Sequence, residues 1–211
     1  MELVCVRHGR TSWNADRRFQ GQTDIPLDDE GLAQAQALAA HLREERFDLA
    51  LASDLSRARA TAETILAERD VALELTPALR EMHFGLWEGL KWDEIVARWP
   101  ELDAAKEKAP MYYTAEGGES WDALCARVDA FLRATTARMA PGERALIVSH
   151  AGVMHAVVRS LTSTGPTEAQ PVAVGLRFSP AGILRARGSF ETGWDVFAIN
   201  EEVSASTRSA R

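Results

Sequence analysis

Cysteine is nearly missing from this chain. Only Cys5 and Cys125 occur among its 211 residues, which excludes a disulfide framework and a thiolate zinc site; both fall in apolar patterns and read as packed thiols. Long apolar runs are missing as well, and without 18 apolar residues in a row no membrane-spanning helix is expected. A basic excess is lacking too. The formal net charge of -7 disfavours nucleic acid or an anionic membrane as partner, because either needs a basic patch whose contacts release counterions. The chain opens on a strand pattern rather than a basic segment and an apolar leader core, which makes a cytoplasmic location the expectation. It carries no internal repeat and no low-complexity block.

What is present, 46% hydrophobic and 26% charged residues, suits one α/β domain, expected over residues 1–199 with 200–211 as a frayed polar tail. Short apolar strand patterns cover Leu3–Val6, Leu49–Ala52, Val71–Leu75 and Ala145–Ser149. Helical patterns separate them. One starts at Asp28, which can cap it, with Leu32, Ala35, Ala39 and Leu42 on one face. Others run over 55–68, Trp92–Arg98, from Ser120 onward and Val153–Leu161. Val172–Phe178 and Ile183–Gly188 read as two later strands, with Asp195–Ile199 as a third. This alternation predicts a three-layer α/β/α sandwich with a mostly parallel mixed sheet. Residues 92–118, with Pro100, Pro110 and Gly117-Gly118, read as a lid-like excursion.

The chemistry-bearing types gather where strands end. Arg7-His8-Gly9 follows the first strand, Ser53 the second and His150-Ala151-Gly152 the fourth. Crossover handedness puts these ends on one side of the sheet, where α/β proteins bind ligands. Arginine offers a fixed cationic fork, and histidine can attack or transfer a proton near neutral pH. Gly9 leaves room for a ligand to approach the backbone. Arg57 lies in the first turn of its helix, where a cation opposes the helix dipole unless an anion is near. A site for phosphate monoesters needs a neutral nucleophile, positive charge on the equatorial oxygens and an acid opposite. His8 and His150 bring no third ligand at a recognisable spacing, so no metal is expected.

Five separated pieces occur in order: Arg7-His8-Gly9 with Thr11 and Asn14; Ser53 with Arg57-Ala58 and Thr61-Ala62; Leu79-Arg80-Glu81 with Phe84-Gly85 and Trp87-Glu88-Gly89; Gly117-Gly118-Glu119-Ser120; and Ser149-His150-Ala151-Gly152. Together they resemble the histidine phosphatase superfamily, which includes the cofactor-dependent phosphoglycerate mutases. The resemblance implies a phosphoglycerate mutase-like fold and a phosphorylated small-molecule substrate, with no cofactor. It implies His8 as nucleophile, Arg7, Arg57 and His150 on the phosphoryl oxygens, Glu81 as proton donor, and Asn14, Gln20, Gly21 and Gly152 as further substrate-binding positions. Glu88 is a second acidic candidate, but Glu81 matches the family position. Trp87 and Trp121 read as packing residues. A homodimer is left open.

Two departures bear on specificity. Arg10 stands where the family commonly has Glu or Gln, so it either faces the ligand or points to solvent. The mutases grip the second anion of phosphoglycerate with an adjacent arginine pair in their insertion, whereas residues 92–118 carry Lys106, Lys108, Trp99, Met111, Tyr112 and Tyr113. The chain therefore looks like the phosphatase branch that includes broad-specificity and α-ribazole phosphatases. The expectation is a metal-independent phosphomonoesterase working through a phosphohistidine. Its alternatives are a phosphoglycerate mutase and a non-catalytic phospho-ligand binding module. For the latter, loss of His8 or Glu81 would be the sign, and both are present.

Overall fold

The computed structural model describes residues 1–105, 113–162 and 176–203. Lys106, Lys108, Met111, Tyr112, residues 172–175 of one expected strand, and 204–211 of the expected tail lie outside them. In chain order the elements are β1 (Glu2–Arg7), α1 (Ser12–Ala15), α2 (Asp29–His41), β2 (Leu49–Ser53), α3 (Ser56–Leu66), β3 (Leu73–Thr76), α4 (Trp92–Arg98), α5 (Trp121–Thr136), β4 (Arg144–Ser149), α6 (Ala151–Thr162), β5 (Ile183–Ser189) and β6 (Gly193–Glu201). Single 3₁₀ turns occupy Pro77–Leu79 and Gly85–Trp87.

The described strands form one sheet in the order β3-β2-β4-β1-β5-β6. The first four run parallel, while β5 and β6 pair antiparallel. Buried strands send alternate side chains to opposite faces, and β1 shows the consequence. Leu3 and Cys5 join Leu124, Val128, Val157 and Val158 of α5 and α6 on one face. Val4 and Val6 join Leu38, Ala58, Ala62 and Ile65 of α2 and α3 on the other. Three layers result, as expected. Each fully buried aliphatic side chain contributes about 1.5–3 kcal/mol, so the two cores hold the sheet between its helices.

Details depart from expectation where long-range contacts decide. Asp28 does cap α2, its Oδ1 accepting from Gly31 N, but Leu32 is exposed and the buried face runs through Gly31, Ala35, Leu38 and Leu42. The cause is a close approach. A Cβ on Gly9 would lie 2.4 Å from the Gly31 carbonyl oxygen, so Gly9 serves helix packing rather than ligand access. Leu176–Phe178 forms no strand; its last carbonyl accepts from Arg7 instead. The expected tail loses its first two residues to β6, because Glu201 accepts from Arg185 and meets His41, and Asn200 Oδ1 accepts from Ser179 N. No helix among the described residues is long and apolar enough to cross a membrane.

Candidate active site

The parallel strands β1, β2 and β4 end together, and His8 N donates to Ser149 O at 2.9 Å. A cavity of about 340 Å³ opens beyond these ends, lined by Arg7, His8, Asn14, Gln20, Gly21, Arg57, Glu81 and Gly152 among others. Of the expected site residues only His150 is not in its wall. It lies directly behind, fully buried, its ring 5.0 Å from that of His8.

His8 Nδ1 lies 2.7 Å from the Gly9 carbonyl oxygen. A carbonyl only accepts, so Nδ1 carries the proton and Nε2 the lone pair. Burial, then the cations Arg7 and Arg57, hold His8 well below the ordinary histidine range despite the opposing pull of the Gly9 bond. It is a neutral imidazole. Arg57 Nε donates to His150 Nδ1 at 3.2 Å, which places the His150 proton on Nε2, an atom with no hydrogen-bond partner among the described residues. Burial, then the cations Arg57 and Arg7, keep His150 uncharged as well. It is thus a neutral donor. Burial lowers Arg7 to about 10 against the favourable field of Glu81, which leaves it cationic at neutral pH.

Arg57 is fully buried in the first turn of α3. Its guanidinium folds back to donate to Gly21 O (2.7 Å) and Thr23 O (2.9 Å). The opposed helix dipole finds its anion in Asp24, whose Oδ1 accepts from Ser56 N and Oγ. Thr61 Oγ1 accepts from Gly9 N and donates to Arg57 O, tying α3 to the segment that carries His8. The Ser53 hydroxyl, by contrast, accepts from Leu55 N, and that of Ser149 donates to Leu79 O.

Glu81 and Glu88 part company here. The Glu81 carboxylate lies in the cavity wall and accepts from Gly152 N at 3.1 and 3.2 Å and from Met82 N at 2.9 Å. Glu88 lies outside that lining and accepts from the backbone of Gln22, Thr23 and Phe84. Gly152 matters to this arrangement, since a Cβ there would stand 2.4 Å from Glu81 Oε1. Gly152→Ala should displace the carboxylate while leaving the backbone in place, lowering kcat on alkyl phosphates by about 10- to 10²-fold. Steady-state kinetics beside a melting curve would check it; unchanged kcat would show that the amide contact is dispensable.

Asn14 closes a capping box with Thr11 at the start of α1. Its Oδ1 is engaged by Thr11 N, and Gln20 Oε1 by Thr11 Oγ1, so both amides offer their nitrogen ends to a ligand. Arg10 takes neither expected course. It pairs with Asp28 and Glu30 at the start of α2. Trp99 and Tyr113 pack around Trp87 and Ile95 and do not line the cavity, and Trp87 and Trp121 are buried packing residues as expected. The aromatic wall is Phe19 and Phe84, joined by Arg17, Arg18, Met82, Ala151 and His155, none of which the sequence pattern marks for ligand contact. The signals were partial. Arg17, Arg18 and Phe19 lie in the polar segment between α1 and α2, and His155 follows Gly152 by one helical turn. Among the described residues no three His, Cys, Asp or Glu side chains cluster to hold a metal ion.

Residues 3–186 match the model of the histidine phosphatase superfamily, branch 1. The chain belongs to that superfamily. It is 38% identical over 172 residues to a metal-independent phosphoserine phosphatase of Arabidopsis thaliana, covering 76% of this chain and 68% of the relative. It is 35% identical over 161 residues to the adenosylcobalamin/α-ribazole phosphatase of Salmonella typhimurium, covering 76% and 79%. A mycobacterial glucosyl-3-phosphoglycerate phosphatase complexed with VO3 superposes with a TM-score of 0.84 at 28% identity, over 95% of this chain and 99% of that one. Proteins named as 2,3-bisphosphoglycerate-dependent phosphoglycerate mutases also stand among the relatives. This member of the superfamily is a phosphatase, a hydrolase acting on phosphomonoesters.

Proposed function

We propose that this histidine phosphatase hydrolyses phosphate monoesters of small molecules, without a metal, through a phosphohistidine at His8. The observation that carries the reading is the neutral His8 whose Nδ1 proton is tied to Gly9 O, leaving the Nε2 lone pair in the cavity shared with Arg7, Arg57 and Glu81. In the first step Nε2 attacks phosphorus, the P–O ester bond breaks, and a protonated Glu81 gives its proton to the departing oxygen. In the second, the Glu81 carboxylate takes a proton from water as its oxygen attacks phosphorus, and the P–N bond breaks to free phosphate. Arg7, Arg57 and the His150 Nε2–H bind the equatorial oxygens. Each charge-assisted bond is worth about 1.5–3 kcal/mol, and it speeds the reaction only where it strengthens toward the transition state. Asn14, Gln20 and the loop at Gly21 complete the phosphoryl cradle. The unpaired buried thiols of Cys5 and Cys125 support a reducing, cytoplasmic setting.

Phe19, Met82 and Phe84 in the wall support leaving groups with an apolar or ring portion. A mutase must instead retain a doubly anionic intermediate and keep water out between two transfers. Arg18, the inner member of the Arg17-Arg18 pair at the cavity, is engaged by Gly89 O and Glu94. Incubation with 3-phosphoglycerate plus 2,3-bisphosphoglycerate, and separately with nucleotide and aryl monophosphates, should give phosphate release as the main reaction. Ring-bearing esters should lead, and chelator should change nothing. Isomerisation of 3-phosphoglycerate that outpaced every hydrolysis would establish the mutase instead.

A further inference from the structure

We infer that Glu88 is a positioning residue that shapes the carbonyl cradle of Arg57, a role that rests on the phosphatase mechanism proposed above. The loop from Gly21 to Thr23 supplies the two carbonyls that hold the Arg57 guanidinium, Gly21 O on one terminal nitrogen and Thr23 O on the other. Glu88 holds that loop from behind. Its Oε1 accepts from Gln22 N and Phe84 N, both at 3.0 Å, and its Oε2 accepts from Thr23 N at 3.0 Å and from Thr23 Oγ1. The side chain is 11% exposed, so the four bonds form largely away from water, where charge-assisted acceptance is strongest.

The contact is tight enough to govern the sequence of the loop. Gly21 has φ +53°, and a Cβ on it would stand 2.0 Å from Glu88 Oε1. Glycine is therefore favoured by its backbone angle, and a larger residue here would push the carboxylate aside. The line of contact continues past Arg57, because the carbonyls that grip its terminal nitrogens also set where Nε points, and Nε sets the tautomer of His150. Glu88 thus reaches two phosphoryl-binding groups without touching either. Its negative charge further favours the buried Arg57 cation, together with the charges of Glu81 and Asp24.

Glu88→Gln keeps the size of the side chain but turns an NH₂ toward backbone N–H groups that need an acceptor. The dissociation constant for inorganic phosphate should rise by about 10- to 10²-fold. The value of kcat/KM should fall by one common factor for p-nitrophenyl phosphate and for an alkyl phosphate. Thr23→Val, which removes one of the four bonds, should move both readouts the same way and by less, and it serves if the first variant does not fold. A lowered melting temperature with wild-type phosphate affinity and kcat/KM in both variants would reduce Glu88 to scaffold and overturn the inference. A loss confined to the alkyl ester would make Glu88 the acid and overturn it too. The mechanism itself is tested apart, in the wild-type enzyme, by whether a phosphoadduct forms on His8.

Discussion

Replacing His8 by alanine should lower turnover by on the order of 10⁴- to 10⁶-fold and abolish the acid-labile, base-stable phosphoadduct expected of the wild-type enzyme. The size of the effect follows from what the residue alone supplies. Gly9 O fixes its tautomer, and burial together with the cations Arg7 and Arg57 keeps it neutral, so its Nε2 lone pair is available without prior loss of a proton. Among the described residues, no other histidine of the lining stands at the strand ends. His155 also lines the cavity, lowered to about 4 by burial and by Arg7, but its ring lies edge-on to Phe178 rather than among the strand ends. Rapid-quench mass spectrometry should place the phosphate on the peptide holding His8. A phosphate found on Ser12 or Ser149, or near-normal turnover in His8→Ala, would refute the assignment.

Glu81→Gln should slow alkyl phosphates by about 10²- to 10⁴-fold while sparing p-nitrophenyl phosphate, whose leaving group departs without a proton. Glutamine preserves an oxygen for the Gly152 amide, so the carboxyl site persists and only the transferable proton is lost. Comparing the two esters separates acid catalysis from damage to the pocket. Equal losses on both would remove Glu81 from the role. The same comparison on Glu88→Gln should show no leaving-group dependence, since the Glu88 carboxylate is spent on the loop at Gln22 and Thr23.

The order of elements, the three layers and the side of the sheet that bears the site were legible in the sequence because each rests on local information. Apolar runs of strand length, helical periodicities and abrupt polarity changes at His8, Ser53 and His150 are properties of short windows, and handedness then brings the strand ends together. The candidate chemistry was legible for the same reason, as a histidine between an arginine and a glycine at a strand end. The assignments that went astray depend on partners remote along the chain. Gly9 meets Gly31, Arg10 meets Asp28 and Glu30, and Phe19 rather than Trp99 reaches the cavity. Glu88 shows the limit best. It stands seven residues from Glu81 in an equally acidic segment, and only the approach of Gln22 and Thr23, 66 and 65 residues away, turns it from the cavity into a clamp on the loop. His150 shows it again, because its neutral state comes from burial and from Arg57, 93 residues distant. Residue type and spacing determine which chemistry this chain can carry; hydrogen-bond partners and desolvation, which exist only once distant segments pack, decide which carboxylate and which imidazole proton face the reaction.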